Sequence, residues 1–196
     1  MLALVAATLL SSCGGFAAPA AEVNGLRISE EQLQQELALR VKQPQVAAQL
    51  KGPQSEKATK DYTRQLLTFL IERALLRAYA AAHRISVTAA DIDQQIQQSI
   101  TQLGGQQEFA KALKDNKLTL REFKQEITDN VLIGKVETHV LAAQGVASSA
   151  TADQRSQAFT QWLHGQLLTA HIDVNPRFGR LDVANERIVP ITSTAQ

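Results

Sequence analysis

Residues 55–83, SEKATKDYTRQLLTFLIERALLRAYAAAH, decide the fold. No glycine or proline interrupts them, so nothing breaks the i to i−4 hydrogen-bond ladder of a helix. Tyr62, Leu66, Phe69, Leu70, Leu76 and Tyr79 mark one broad apolar surface, and Leu67, Ile71, Ala74, Leu75 and Ala78 mark another. A helix apolar over that much of its circumference belongs at the centre of a bundle. At about 1.5 Å per residue it runs roughly 40 Å.

On the N-terminal side, KGPQS (51–55) is a break, and Pro44 bends or ends the element before it. SEEQ (29–32) reads as a capping box with Ser29 as N-cap and Gln32 three residues on. Leu33, Leu37 and Val41 then recur on one helical face. Before that, AEVNGLRIS (21–29) alternates Val23, Leu26 and Ile28 about an Asn-Gly turn, the pattern of two short extended pieces.

On the C-terminal side, Thr88 caps a helix with Asp91 at its third position and Ile92, Ile96, Ile100 and Leu103 on one face. Gly104-Gly105 stops it. A short helix carries Phe109 and Leu113, and KDNK (114–117) breaks it. Thr119 caps again with Glu122 three residues on, and Leu120, Phe123, Ile127, Val131, Val136 and Val140 extend that helix to about Ala143. QGVASSATA (144–152) is small, polar and aperiodic, a linker. A last helix from Asp153 bears Phe159, Trp162, Leu163 and Leu167. His171–Val174 alternates as a strand, Asn175-Pro176 turns it, and the tail NERIVPITSTAQ (185–196) is partly extended and frays.

A strand near each terminus cannot stand alone, because its backbone groups would be unpaired. Pairing 22–28 with 171–174 solves this. The expected fold is therefore mainly α: a bundle of about six helices in one domain, 22–196, closed by a small β clasp.

Composition bounds the function. The chain has 196 residues and a formal net charge of +1, which gives no support for nucleic-acid binding. Its single cysteine, Cys13, excludes an intramolecular disulfide and a cysteine-rich zinc site. Residues 1–12, MLALVAATLLSS, carry no charge and match the h-region of a secretory signal, though no basic residue precedes them. The expectation is a signal peptide shortened at its start. Leu10-Ser11-Ser12-Cys13 resembles a bacterial lipobox, which would make Cys13 a lipidation site, 13–21 a tether, and the outer face of the cell membrane the location. The plainer reading is a buried cysteine in an ordinary N-terminal segment.

Catalytic sets are not evident. His83, His139, His164 and His171 form no metal-ligand spacing, and His83 and His139 fall near helix C-termini, where their charge is favourable. Asp91 and Asp93 suit a first helical turn. LGGQQEF (103–109) lacks the lysine of a phosphate loop. No catalytic residue, metal or cofactor is expected. Lys111, Lys114, Lys117, Arg121 and Lys124 form a basic cluster: a solvated face, or a contact for acidic headgroups or acidic chains.

The ordered series VNGLRISEEQL (23–33), AYAAAHRISVTAADIDQQI (78–96) and LGGQQEFAKALKDNKLTLREFKQEITDNVLIGKV (103–136) resembles the N-terminal chaperone domain of SurA-type and PrsA-type foldases. FTQWLHGQLLTAHIDVNPRFGRLD (159–182) is similar to the closing segment of lipoproteins in that group. The resemblance covers roughly residues 22–182. It implies export, binding of unfolded or partly folded secreted proteins, and often a parvulin prolyl-isomerase domain before the closing segment. Only 144–152 stands at that point here, far below the roughly 40 residues an autonomous domain needs. The resemblance therefore implies a holdase without isomerase activity. A chaperone of this type needs apolar side chains left open to clients, and Tyr62, Leu66, Phe69, Phe109 and Phe123 are the candidates. The alternative is an adaptor lipoprotein that holds one folded envelope partner.

Overall fold

The computed structural model describes residues 18–191. Cys13, the apolar segment 1–12 and the first part of the proposed tether lie outside the described residues. Among the described residues there are seven helices: α1 (Glu30–Lys42), α2 (Pro44–Gln49), α3 (Ser55–Ala82), α4 (Ala89–Gln102), α5 (Gln106–Asp115), α6 (Leu120–Ala143) and α7 (Ala152–Thr169). Five three-residue strands join them: β1 (Ala21–Val23), β2 (Leu26–Ile28), β3 (Ile172–Val174), β4 (Arg180–Asp182) and β5 (Arg187–Val189). The fold is mainly α, as expected. α1 ends at Lys42, just before Pro44, as expected; the additional helix is α2, which Pro44 begins. Proline suits that position because its missing N–H would be unpaired there anyway.

The clasp forms. β1 lies between β2 and β3, antiparallel to both, with Ala21 opposite Ile28 on one side and Val174 on the other. Asn24 and Gly25 both adopt positive φ, 49° and 83°, as a two-residue hairpin loop requires. The Asn24 N–H donates to the His171 carbonyl and its side-chain oxygen accepts the His171 N–H, both at 2.8 Å. Ala20 and Ala21, read above as tether, are fully buried: Ala20 donates to the Ile28 carbonyl and accepts from Asn175. The domain thus begins before residue 22.

The tail does not fray within the described residues. β4 and β5 pair as a second antiparallel ribbon, Leu181 opposite Ile188. The ribbon is fastened to α3, where the buried Thr68 hydroxyl accepts the Ile188 N–H at 3.1 Å and Arg64 Nε donates to the Phe178 carbonyl at 3.0 Å. Gly179 (φ 132°) is required there, since a β-carbon would fall 2.2 Å from the Val189 carbonyl oxygen.

α3 is the spine. Its Leu66, Leu67, Leu70, Ile71 and Leu75 form the main core with β1, β2, Leu33, Leu167, Val174, Phe178 and Ile188. Further along, Leu76 and Ala80 pack with Val136 and Val140 of α6, backed by Trp162 and Phe159 of α7. A third, small core joins Ile96 of α4, Phe109 of α5 and Ile127 of α6.

Helix starts follow their caps. Thr88 with Asp91 and Thr119 with Glu122 form reciprocal capping boxes. Ser29 makes only half of one, accepting from the Gln32 N–H. A further full box, Thr151 with Gln154, starts α7 one residue before the expected Asp153, so the linker stops at Thr151.

Candidate functional site

Apolar residues recur along one stripe of α6: Phe123, Ile127, Val131 and Ala142, with Gly134 among them. An ordinary buried helix would have this stripe covered. Here α4 covers only part of it, leaving an open cleft of about 770 Å3 between α4, α6 and Ile85. Its apolar floor is Ile85, Phe123, Ile127 and Val131; its rim is Gln95, Ser99, Asn130, Thr138 and His139. Pockets that take organic side chains have this make-up, apolar walls with a few polar groups.

Three local arrangements hold the cleft open. First, Gly134 faces space: a β-carbon there would meet nothing within 4 Å. Any longer side chain would grow into the cleft. Second, Lys135 spans one end, reaching the Asp91 carboxylate at 2.6 Å and the Ser86 carbonyl at 3.0 Å. Asp91 also accepts the Thr88 N–H and hydroxyl. The bond from Lys135, followed by those from Thr88, holds its carboxyl down at about 2. Third, Phe109 and Phe123 meet edge to face, ring centroids 5.2 Å apart, so α5 props Phe123 from behind.

The wall behind His139 is aromatic. The Tyr79 hydroxyl and His139 Nδ1 lie 3.0 Å apart, the His83 ring is 4.9 Å from His139, and Trp162 meets Tyr79 edge to face. The two histidines read above as helix-terminal charges are therefore part of one ring cluster joining α3, α6 and α7. His164, by contrast, bonds Glu186 at 2.8 Å on the far side of α7.

The five apolar residues proposed from the sequence do not converge. Phe123 lines the cleft. Phe109 is 3% exposed and packs in the small core, so it supports the site and is closed to a client. Leu66 is 6% exposed in the main core and is closed as well. Both corrections have the same cause: helical periodicity marks an apolar face without telling what covers it. Tyr62 is half-buried on α3, away from the cleft. Phe69 borders a second, polar cleft between α1, α3 and α6 of about 430 Å3.

That second cleft is held by charge. Arg73, only 8% exposed, bonds Glu36 at 3.1 Å and Asp129 at 2.7 Å, and Arg77 shares Asp129 at 2.6 Å. The network ties α1 and α6 to α3. Sequence reading missed it, because an arginine inside an apolar stripe gives no sign of its partners. Among the described residues no cluster of three or more histidine, cysteine or acidic side chains could hold a metal.

The molecule is thus a helical body, closed by strands from both its ends and carrying an apolar cleft. Residues 1–137 match the family model of the SurA-like N-terminal domain, and the chain belongs to that chaperone-related family. No curated protein matches it.

Proposed function

We propose that this protein is an ATP-independent holdase that takes side chains of unfolded secreted polypeptides into the α4–α6 cleft. The observation that carries the reading is the open apolar stripe of α6 with Gly134 at its centre. Burying apolar client surface yields about 25 cal/mol per Å2 without regard to sequence. That suits transient, tolerant binding. The family membership supports a polypeptide-binding role in the same direction.

In this proposal the chain is exported, cleaved before Cys13 and anchored there by lipid on the outer face of the cell membrane. It has no prolyl-isomerase activity, since only residues 144–151 separate α6 and α7 where related foldases carry a parvulin domain. The test is aggregation of a denatured client in the presence of the form lacking residues 1–13. Suppression at a few-fold molar excess, lost in Gly134→Leu, supports the holdase. No suppression refutes it, and retention of a single stoichiometric folded partner from membranes establishes the adaptor instead. Prolyl isomerisation of a tetrapeptide should stay at background.

A further inference from the structure

The region around the α5–α6 turn concentrates positive charge outside the ion pairs of the molecule. Lys111 and Lys114 of α5, Lys117 in the turn, and Arg121 and Lys124 of α6 are all exposed. None makes an ion pair among the described residues. By contrast, Arg40, Lys42, Arg73, Arg77 and Lys135 each reach a carboxylate. The acids of this region do not balance the cluster. Glu122 is engaged by the Thr119 cap and by Lys42, Glu108 lies in the first turn of α5, and Asp115 pairs with none of the five.

Two leucines share this end. Asp91 meets Lys135 at one end of the α4–α6 pair, so the two helices run antiparallel and the C-terminus of α4 lies beside the N-terminus of α6. Leu103, 45% exposed, ends α4, and Leu120, 47% exposed, begins α6. The result is an exposed tip with five cations outside any ion pair and two half-exposed leucines. None of the five cations lines the α4–α6 cleft or the polar cleft.

We propose that this tip is a peripheral docking surface for an anionic lipid bilayer. The cations meet headgroup phosphates, and Leu103 and Leu120 enter the interfacial layer. A bilayer offers dense negative charge with hydrocarbon directly beneath it, which matches cations flanking apolar side chains. An acidic polypeptide would supply the charge but no hydrocarbon layer for the exposed Leu103 and Leu120. Among the described residues no helix is long and apolar enough to cross a membrane, so the contact is superficial. It would set the orientation of the cleft relative to the surface.

The experiment is vesicle flotation of the full chain carrying Cys13→Ser, which removes any acyl anchor. Vesicles are zwitterionic lipid with or without one-third phosphatidylglycerol. Each cation near an anionic surface strengthens binding by roughly fivefold, and salt screens the effect. The expected result is at least about tenfold tighter binding to the anionic vesicles. Changing Lys111, Lys114 and Lys117 to Gln should remove most of that preference, and adding Arg121→Gln and Lys124→Gln should abolish it. Leu103→Ser with Leu120→Ser should weaken binding several-fold with every charge intact. All of these side chains are exposed, and circular dichroism checks that helicity is retained. Equal binding to both vesicle types, or anionic preference unchanged in the five-residue variant, overturns the proposal. So does competition by polyglutamate together with indifference to the leucine changes, which would assign the tip to acidic chains.

Discussion

The main core and the α4–α5–α6 lobe sit in opposite surroundings. Around residues 66–75 of α3, fourteen buried residues from both chain ends, α1, α3 and α7 close into one core. In the α4–α5–α6 lobe, among the described residues, Ile96, Phe109 and Ile127 form the buried local core, while Phe123, Val131 and Gly134 of the α6 stripe stay partly open. Both regions draw on the same aliphatic alphabet. They differ in coverage: the first receives strands from both termini, while the second is covered by α4 and α5 alone. The lesson is that binding surface here is core left unfinished. Stability and function can accordingly be changed separately.

The largest expected effect is on the closed side. Leu67 is fully buried in the main core, and Leu67→Ala should cost about 3 kcal/mol in urea unfolding, whereas Ile127→Ala in the lobe should cost nearer about 2 kcal/mol. Equal losses would erase the contrast. Next comes Gly134→Leu. It should lower client affinity about tenfold while raising stability by about 0.5–1 kcal/mol, because glycine inside a helix is entropically unfavourable. Loss of both binding and stability would mean that Gly134 is a packing residue. Thr151→Ala removes a reciprocal cap and should cost about 1 kcal/mol of stability, with holdase activity unchanged.

The smallest effect is in the pH profile. Burial on α3, with Glu186 nearby, pushes the Glu72 carboxyl up to about 7. Its folded pKa is then above its unfolded value, so the native state holds the proton more tightly. Stability should decline as pH rises from about 4.5 towards about 7 and level off beyond. Glu72→Gln should flatten that limb. Asp91 and Glu122, each held at about 2 by their caps and lysines, act oppositely. Their stabilisation is present above the ordinary carboxylate range and is lost as pH falls towards 2. Urea midpoints across the range in wild type and Glu72→Gln separate the two limbs.

Much of this contrast was legible in the sequence, for identifiable reasons. Val23, Leu26 and Ile28 alternate about Asn24-Gly25, a turn with few conformational options, and the need to pair their backbone pointed to 171–174. Thr88, Thr119 and the uninterrupted α3 run declared their helices through local chemistry. What escaped was set by distant contacts. β5 is three residues long, and Arg187–Val189 shows no period until Thr68 and Gly179 receive it. The cleft escaped because Leu66, Phe109 and Phe123 look alike along a helix. Only the placement of α4 and α5 separates the buried from the open.

The position of β1 between β2 and β3 has a consequence for how the protein matures. Its second neighbour is synthesised some 150 residues later, Val23 pairing with Ile172. A chain that emerges vectorially, N-terminus first, holds β1 with one edge unpaired until almost the whole polypeptide has appeared. Closing so long a loop is slow. During that interval the nascent molecule is itself an unfolded chain, the kind of substrate that the finished one is proposed to protect.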